Sequence, residues 1–385
     1  MTITSSENNI GLYVHIPFCM RKCRYCDFLS FECRDEKALH EYAEALLREI
    51  NVRYEQWPYK VVDSIYIGGG TPSILPAEDM KRIMDGIKND FTVTDDCEIT
   101  IEANPATVDE HKLETYLEAG INRISIGVQS FDNSILNLLG RVHDKNDAMN
   151  AIRMAKKAGF RNLNVDMMFG IPGQTMKMWR DSLRQCIFLR PEHISLYSLQ
   201  IEEGTQFYSM MEKGTLESVP DSTDRTMYHD ALDMLTHAGY HHYEISNAAL
   251  PGFESRHNLK YWSYEEYLGI GPGASSFIGG KRFKNTSSVL EYLKFIKAGQ
   301  APVDPEDVEH YTPRDEMGIY VFTGLRKTDG LDIRDFEETF KTEFFDVYDP
   351  MIVTKMRGLL QVDGCTMKLT DKGLDVSNKV MAEFV

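Results

Sequence analysis

The fold of this chain is decided by the stretch Tyr13-Val-His-Ile-Pro-Phe-Cys19-Met-Arg-Lys-Cys23-Arg-Tyr-Cys26. Its start overlaps an apolar run, Leu12–Ile16, that predicts a β-strand, and three cysteines with C-x3-C-x2-C spacing follow directly. Thiolates on one short loop can bind three corners of a cubane iron–sulfur cluster. We therefore predict a [4Fe–4S] cluster held by Cys19, Cys23 and Cys26, in which the fourth iron stays open to another ligand.

Other interpretations of these cysteines remain open at the level of sequence. They could be core thiols that lie close together by chance, or part of a zinc site, which usually recruits a fourth nearby Cys or His. Cys33 is the obvious candidate for that fourth ligand. Cys33 could also close a four-cysteine cluster in an electron carrier, which would leave no iron open. The irregular spacing of all seven cysteines does not indicate a disulfide framework.

Composition and charge limit the classes of function. The chain has 385 residues, of which 42% are hydrophobic and 26% charged, values typical of a globular protein with a large core. A net charge of −17 disfavours nucleic acid as a partner, because phosphates would be repelled. Residues 1–10 are polar and lack the apolar core of a secretory signal. We expect a cytoplasmic protein, at most peripheral to the inner face of the membrane.

Six apolar or β-branched runs recur in the first half of the chain, and most are followed by a helical pattern. Gly120 and Gly159 fall where helix C-caps belong. Repeated β-then-α units predict a parallel sheet, either a partial barrel or a doubly wound sheet. The predicted strands are Leu12–Ile16, Val61–Ile67, Glu98–Glu102, Arg123–Val128, Asn162–Met168 and His193–Leu199.

The pattern changes after about residue 200. A strand is expected over His242–Ile245, and then irregular structure rich in aromatic residues and glycine to about residue 285. At the end of the chain, the pattern predicts short helices and a hairpin around Asp363-Gly364. Together these elements indicate an α-rich, winged-helix-like domain. Its acidic residues outnumber its basic ones, which argues against DNA binding. We predict a core barrel over residues 1–240, a barrel-capping segment over 241–300 and a C-terminal domain over 301–385.

Further motifs follow in order along almost the whole chain, and together with the cysteine loop they resemble the radical S-adenosylmethionine (SAM) superfamily. Within it, the chain is most similar to the branch that contains coproporphyrinogen dehydrogenases (HemN) and HemW-type heme chaperones. The resemblance implies a partial (β/α)6 TIM-like barrel with a HemN-like C-terminal domain, a [4Fe–4S] cluster and SAM, whose sulfonium a reduced cluster splits. The motifs are Gly68-Gly-Gly-Thr71-Pro72, Ile101-Glu102-Ala-Asn-Pro105, Ile126-Gly-Val-Gln129-Ser-Phe131, Gly140-Arg141-Val-His143, Asp166-Met-Met-Phe-Gly-Ile-Pro172 and Gly269-Ile-Gly-Pro-Gly273.

The resemblance also implies which residues bind SAM. The glycine-rich loop contacts the methionine amino group, Glu102 at a strand end accepts the ribose hydroxyls, and Arg141 binds the methionine carboxylate. The competing interpretation of each residue is ordinary surface polarity or turn chemistry, although active sites sit at the carboxyl end of barrel strands. The SAM residues implied are Tyr13, Tyr25, Gly69, Gly70, Thr71, Glu102, Gln129, Arg141 and Asp166.

Three features favour the HemW-type proteins over the dehydrogenases. The dehydrogenases typically carry a further cysteine two positions after the third cysteine ligand, where this chain has Phe28. They also carry a longer N-terminal stretch before the first cysteine ligand than the 18 residues that precede Cys19 here. The motif His257-Asn258-Leu-Lys-Tyr261 matches the H-N-x-x-Y pattern associated with HemW proteins. Histidine and tyrosine can both ligate heme iron, so His257, Asn258 and Tyr261 are the candidate heme site. The alternative is that His257 is a loop histidine with a backbone partner.

A HemW-type function implies heme as cargo, recipient heme proteins that include membrane respiratory complexes, and an electron donor such as flavodoxin or ferredoxin. SAM cleavage is expected, whereas coproporphyrinogen dehydrogenase activity is the alternative function. A radical enzyme for another reaction, such as opening of the heme ring, also remains open. Ser275 stands where many relatives have histidine, so no role is assigned to that position.

The three-ligand cluster can be tested by substitution. We expect Cys19→Ser to abolish assembly of the cluster, because a hydroxyl does not replace a thiolate on iron. Cys33→Ser should leave assembly intact, with about four iron and four sulfide per chain after anaerobic reconstitution, as in any [4Fe–4S] protein. Loss of the cluster in the Cys33 variant would contradict the assignment.

Overall fold

A computed structural model describes residues 8–309 and 311–385. The predicted polar N-terminus, residues 1–10, lies mostly outside these residues. Among the described residues, no helix combines the length and the apolarity that crossing a membrane requires.

Six parallel strands form the centre of a 12-stranded sheet within the described residues. They pair in chain order, as expected for β-then-α units. Each strand covers one of the six predicted runs, so this part of the prediction is confirmed. The strands are β1 (Asn9–Ile16), β2 (Val61–Gly69), β3 (Thr92–Ala103), β4 (Arg123–Gln129), β5 (Asn162–Phe169) and β6 (His193–Ser198).

Helices connect these strands and cover the outer face of the sheet. Side-chain caps fix several helix starts; Asp144, for example, forms a capping box with Asp147. Gly159 caps a helix C-terminus at φ +123°, and Gly120 follows another at φ +87°, as the sequence predicted. The helices are α1 (Glu36–Gln56), α2 (Ala77–Asp90), α3 (Glu110–Glu118), α4 (Asn133–Leu139), α5 (Lys145–Ala158), α6 (Met176–Leu189), α7 (Gln206–Glu212) and α8 (Asp221–His237).

The two faces of the central sheet differ in chemistry. One set of alternate residues, such as Leu12, Val14 and Ile16, is fully buried in the core shared with the helices. The other set is polar or glycine, so the concave interior is polar, unlike the branched aliphatic filling of a closed TIM barrel. The interior positions include Tyr13, His15, Ser64, Tyr66, Gly68, Glu98, Thr100, Glu102, Arg123, Ser125, Gly127, Asn164, Asp166, His193, Ser195 and Tyr197.

Residues 241–309 lengthen the sheet at both edges, where the sequence predicted mainly irregular structure. At one edge β8 (Asn247–Ala249) pairs antiparallel with β6, and β7 (His241–Glu244) lies outside it. These strands are only three and four residues long, so their pattern is weak, and pairing with the edge of the central sheet stabilises them. At the other edge lie β9 (Tyr267–Ile270), which is parallel to β1, then β10 (Ser275–Ile278), β11 (Lys281–Asn285) and β12 (Val303–Glu309).

The C-terminal residues have a hydrophobic core of their own, which includes Val321, Phe336, Phe344 and Met381. The predicted hairpin is present, and a short third strand joins it. The α-rich character is confirmed. The elements are α9 (Arg256–Trp262) and α10 (Val289–Lys297), then α11 (Pro313–Gly324), β13 (Leu331–Asp332), α12 (Ile333–Phe340), α13 (Phe344–Val347), α14 (Met351–Lys355), β14 (Leu360–Asp363), β15 (Thr366–Leu369), α15 (Asp371–Asp375) and α16 (Ser377–Met381).

A buried ion pair in α1 fixes the loop between β9 and β10. Arg53 Nε donates to Glu49 Oε1 at 3.3 Å, and both side chains are at most 1% exposed. Glu49 Oε2 accepts the backbone N–H of Gly271 at 2.7 Å, and Asn285 Nδ2 donates to the carbonyl of Gly271 at 2.8 Å. The pair therefore holds the predicted glycine motif 269–273 against α1.

We predict that Arg53→Ala lowers the free energy of unfolding by about 3–5 kcal/mol, because it leaves the Glu49 carboxylate buried without its cation. Urea unfolding of the full chain followed by circular dichroism measures the change. Arg48→Ala, at an exposed position of the same helix, is the control and should change stability by less than about 0.5 kcal/mol. Equal effects of the two substitutions would show that the ion pair adds nothing.

Candidate functional site

The cysteine loop follows directly on β1, as predicted. Residues Phe18–Cys19 pair in parallel with Phe31–Glu32, which closes the loop at its base. Within it, the N–H of Cys26 donates to the carbonyl of Cys23 at 3.2 Å. Cys19 is buried, whereas Cys23 and Cys26 are half-buried. The loop thus presents its three thiols at the carboxyl end of the barrel strands.

Two neighbouring motifs contact the cysteine sulfurs. Thr71 Oγ1 donates to Cys19 Sγ at 3.4 Å, and Arg141 Nη1 donates to Cys23 Sγ at 3.4 Å. Hydrogen-bond donors of this kind stabilise the thiolates and so influence the properties of the metal that the thiolates bind. Thr71 and Arg141 were predicted as SAM residues, and the structure brings both of them to the cysteines.

Burial raises the pKa of the Cys19 and Cys26 thiols, and nearby thiolate charge, that of Cys23 among others, raises both further. The pKa of Cys19 is partly lowered again by the Thr71 hydroxyl. Iron must therefore displace protons from these thiols as it binds. In the part of the chain that the structure describes, no group of three or more His, Cys, Asp or Glu side chains could hold a single metal ion. In a cubane, by contrast, each cysteine binds a different iron.

Cys33 lies beside the loop without joining it. Its N–H donates to the carbonyl of Cys19 at 3.0 Å, and its Sγ lies 3.9 Å from the carbonyl of Asp35, the N-cap of α1. Its side chain also packs against the main hydrophobic core. These contacts give Cys33 a structural place, so the three-ligand assignment stays the better prediction.

The glycine-rich loop after β2 packs against β1 and the cysteine loop. The N–H groups of Gly70 and Thr71 donate to the carbonyls of Ile16 and Phe18, both at 2.8 Å. Gly69 has φ +113°, and a Cβ there would lie 2.6 Å from the ring of His15. Since two of the loop amides are already used, the loop suits a ligand that donates hydrogen bonds, as the methionine ammonium of SAM does.

Glu102 lies near the carboxyl end of β3, at the mouth of the polar interior. It accepts the Tyr66 hydroxyl at 2.8 Å and the Gly69 N–H at 3.1 Å. Burial raises its pKa to about 7, and the charge of Asp166 adds to this effect. Its carboxylate is thus held near the glycine loop, where the resemblance places the ribose of SAM.

Arg141 and Gln129 meet on the other side of the cysteine loop. Arg141 Nη2 donates to the carbonyl of Gly127 at 2.6 Å, and its Nε is buried without a hydrogen-bond partner in the described structure. Gln129 has φ +67°, an unusual backbone for a residue other than glycine, at a register shift between β4 and β5. A Cβ at Gly127 would lie 3.0 Å from Gln129 Nε2.

The remaining SAM candidates line the same interior. Asp166 accepts from Ser125 Oγ at 3.0 Å and from Asn164 Nδ2 at 2.7 Å. The Tyr13 ring stacks on Tyr66 with centroids 6.3 Å apart. Burial raises the pKa of Tyr25, the Arg141 charge lowers it, and the charges of Cys23, Cys26 and Asp166 raise it. Its side chain packs against a small apolar cluster that includes Leu139 and Phe207.

The residues present fit both implied groups. Three thiols on one loop suit a cluster, and the unsatisfied Arg141 Nε is a buried donor beside Cys23 that a carboxylate would satisfy. The close approach of Gly69 to His15 leaves backbone, not side chain, facing a ligand. The nine predicted SAM residues therefore cluster around one interior next to the cysteine loop.

The H-N-x-x-Y motif lies deeper than the sequence suggested. His257 is 1% exposed, with Nδ1 2.9 Å from Ser64 Oγ and Nε2 2.9 Å from the Tyr261 hydroxyl. Burial lowers its pKa to about 3. Since both ring nitrogens have partners, His257 would have to break one of these bonds to reach a heme iron. The structure thus favours a buried structural histidine; its partners are side chains, not the backbone group expected. Heme ligation by His257, Asn258 or Tyr261 remains a prediction.

The structure adds a residue that the sequence reasoning missed. His15 lies between the Tyr13 hydroxyl, 2.9 Å from Nδ1, and the Leu29 carbonyl, 2.9 Å from Nε2. It lines a cavity of about 520 Å3 together with Gly69, Glu102, Tyr261 and others. The sequence could have indicated His15, because it lies two residues after Tyr13 and therefore on the same face of β1. Ser275 lines this cavity too.

Comparisons with known proteins agree with this geometry. Residues 13–186 match the radical SAM superfamily model and residues 311–376 match the HemN C-terminal domain model. The heme chaperone HemW of Lactococcus lactis is 36% identical over 97% of this chain and 96% of its own. HemW of Bacillus subtilis is 36% identical over 97% and 98% of the two chains. HemW of Escherichia coli is 40% identical over 72% and 74%.

Among solved structures, coproporphyrinogen III oxidase (HemN) from Escherichia coli superposes with a TM-score of 0.85 at 24% identity, covering 98% of this chain and 90% of that one. This likeness confirms the partial barrel with an α-rich C-terminal domain. The cysteine loop at the carboxyl end of such a barrel defines a radical SAM protein, which uses a [4Fe–4S] cluster and SAM. Within this class the chain belongs to the HemW family.

The raised pKa of Glu102 predicts that SAM binding depends on pH. Below about pH 7 the carboxylate takes up a proton and becomes a weaker acceptor for the ribose hydroxyls. We expect the affinity for SAM to fall toward acid, by up to about tenfold per pH unit. Anaerobic equilibrium binding at pH 8 and pH 6 measures this, and Glu102→Gln should bind weakly and equally at both. An unchanged pH dependence in the variant would remove Glu102 from the ribose site.

Proposed function

We propose that this protein is a heme chaperone, which binds heme as cargo and delivers it to heme proteins. The observation that carries the proposal is the end-to-end correspondence with relatives called heme chaperone HemW, which spans 96–98% of those chains at 36% identity. Coverage of both domains matters, because the radical SAM barrel alone serves many reactions.

The proposed roles of the site residues follow from their contacts. Cys19, Cys23 and Cys26 would hold the cluster. Thr71 and Arg141 would donate hydrogen bonds to the sulfurs of Cys19 and Cys23. Arg141 Nε would bind the SAM carboxylate, while Glu102 would accept the ribose hydroxyls. When bound and reduced, the cluster supplies the electron that cleaves SAM.

Coproporphyrinogen dehydrogenase activity is the second candidate. The likeness to HemN is strong in fold, but at 24% identity it does not extend to activity. Phe28, 64% exposed, occupies the position where the dehydrogenases are expected to carry a further cysteine. No contact of the described residues favours this second function.

The partners are part of the proposal. An electron donor such as flavodoxin or ferredoxin would have to approach the cysteine loop, where Phe28 and Phe31 are 64% and 44% exposed and Arg21 is exposed beside them. Such exposed aromatic residues are typical of protein contact surfaces. The recipients would be heme proteins, including respiratory complexes at the inner face of the membrane.

The function is tested by transfer. Anaerobically reconstituted protein is loaded with hemin, separated from free hemin, and mixed with a heme-free apo-cytochrome b. We expect the cytochrome spectrum to develop, and we expect no vinyl product when coproporphyrinogen III, SAM and dithionite replace hemin.

Two controls separate the outcomes. Protein reconstituted with hemin but without iron and sulfide shows whether transfer needs the cluster. Bovine serum albumin loaded with hemin measures passive release. Transfer no faster than from albumin, or decarboxylation of coproporphyrinogen, would contradict the proposal.

A further inference from the structure

A second cavity lies between the mouth of the barrel and the C-terminal residues. It has a volume of about 940 Å3 and is enclosed by the ends of β5 and β6, by α8 and by α15 and α16. Its wall is mixed: Phe169, Leu199, Met211 and Leu374 form an apolar part, and Asp221, Asp224 and Asp375 are among the polar lining residues. Asp224 and Asp375 are paired with Arg225 and His229. None of the SAM candidates named above lines it, so its occupant can be a second molecule.

Tyr197 connects this cavity to the SAM site. It occupies an interior position of β6 and is 42% exposed, and it lines the cavity. It pairs in register with Met168 of β5, two residues beyond the SAM candidate Asp166. A large aromatic side chain left uncovered in a protein interior indicates a surface for a flat apolar ligand.

Cationic side chains lie at the other side of the same cavity. The Arg326 guanidinium packs over the Trp262 ring at 4.3 Å, and its Nε is buried without a hydrogen-bond partner among the described residues. Its nearest carboxylate, Glu244 Oε2, is 3.9 Å away. Lys379 is exposed at the rim. By contrast Arg225 is already neutralised by Asp224, whose Oδ2 lies 2.5 Å from its Nη2.

An apolar part of the wall, an uncovered tyrosine and two cations without a close carboxylate partner in the described structure match a planar, largely apolar molecule that carries carboxylates. We propose that heme binds in this cavity, with its macrocycle against Tyr197 and its propionates at Arg326 and Lys379. The inference rests on the proposed function and gives it a site. It also places heme at the carboxyl ends of β5 and β6, close to the SAM candidate Asp166 on β5.

This site differs from the one that the H-N-x-x-Y motif suggested. His257 and Tyr261 are hydrogen-bonded to each other, and Tyr261 lines the other, smaller cavity beside Glu102. The motif can therefore shape the SAM side of the interior, while the cargo binds on the side of β6.

The site is tested by hemin titration of the full-length, anaerobically reconstituted protein, followed by Soret absorbance. We expect hemin to bind at least about tenfold more weakly to each of Tyr197→Ala, Arg326→Gln and Lys379→Gln than to the wild-type protein. Each variant loses a ring contact or a hydrogen bond to a charge. Arg180→Gln is the matched control, since Arg180 pairs with Asp230 on the surface, at 2.6 Å, outside the cavity. SAM affinity should persist in all four variants.

The outcomes are distinguishable. If the wild-type protein binds hemin and the three cavity variants bind it like Arg180→Gln, the site is wrong while the chaperone function stands. If the wild-type protein binds no hemin, the proposed function itself fails. Arg326→Gln leaves the buried Glu244 without its cation and can lower stability, so thermal melting accompanies each titration. Tyr197→Ala and Lys379→Gln leave that pair intact and decide the matter if Arg326→Gln does not fold.

Discussion

The need to satisfy polar groups inside the barrel is the constraint on which the rest of this structure depends. A buried donor or acceptor without a partner costs about 1–3 kcal/mol, so a polar interior folds only if its members pair with one another. Glu98, near the bottom of the interior, accepts the backbone N–H groups of Arg256 and His257 at 3.2 and 3.1 Å. The start of α9 is thereby fixed inside the barrel.

The same requirement orders the middle of the interior. Asn164 donates to Ser125, Asp166 and Ser195, and its carbonyl oxygen lies 2.6 Å from His193 Nδ1. His193 Nε2 in turn lies 2.8 Å from the Tyr243 hydroxyl. Two guanidinium nitrogens of this region lack a hydrogen-bond partner among the described residues: Arg123 Nε at the amino end of β4 and Arg141 Nε beside the cysteine loop. Arg141 lies at the mouth, where a ligand can reach it and complete the network.

Charge also distinguishes the two ends of the interior. Deep in the barrel, burial lowers the pKa of His257 and His193, so both imidazoles stay neutral and serve as hydrogen-bonding side chains. At the mouth, burial raises the pKa of Glu102 to about 7 and that of the Cys19 thiol, so these groups respond to a cation or a metal that arrives. The protein thus keeps its titrating groups where its ligands bind.

Much of this protein could be predicted from the sequence because its signals are local. The cysteine spacing in residues 19–26, the six strands and the glycine caps each depend on neighbouring residues, and motifs at successive strand ends must meet at one rim of a parallel sheet. The strand expected over His242–Ile245 is present as β7, at His241–Glu244. The other strands of residues 247–309 escaped prediction, since such short strands are stabilised by the edges they pair with.

By itself, the sequence determined the barrel, the cysteine loop and the set of side chains at its mouth. Only the tertiary structure decided which of them remain available. His257 looked like a ligand until packing placed it between Ser64 and Tyr261, and Tyr197 looked like an ordinary strand residue until the barrel left it 42% exposed above a cavity. The physical reason is that availability depends on partners from distant parts of the chain, and no local pattern records them.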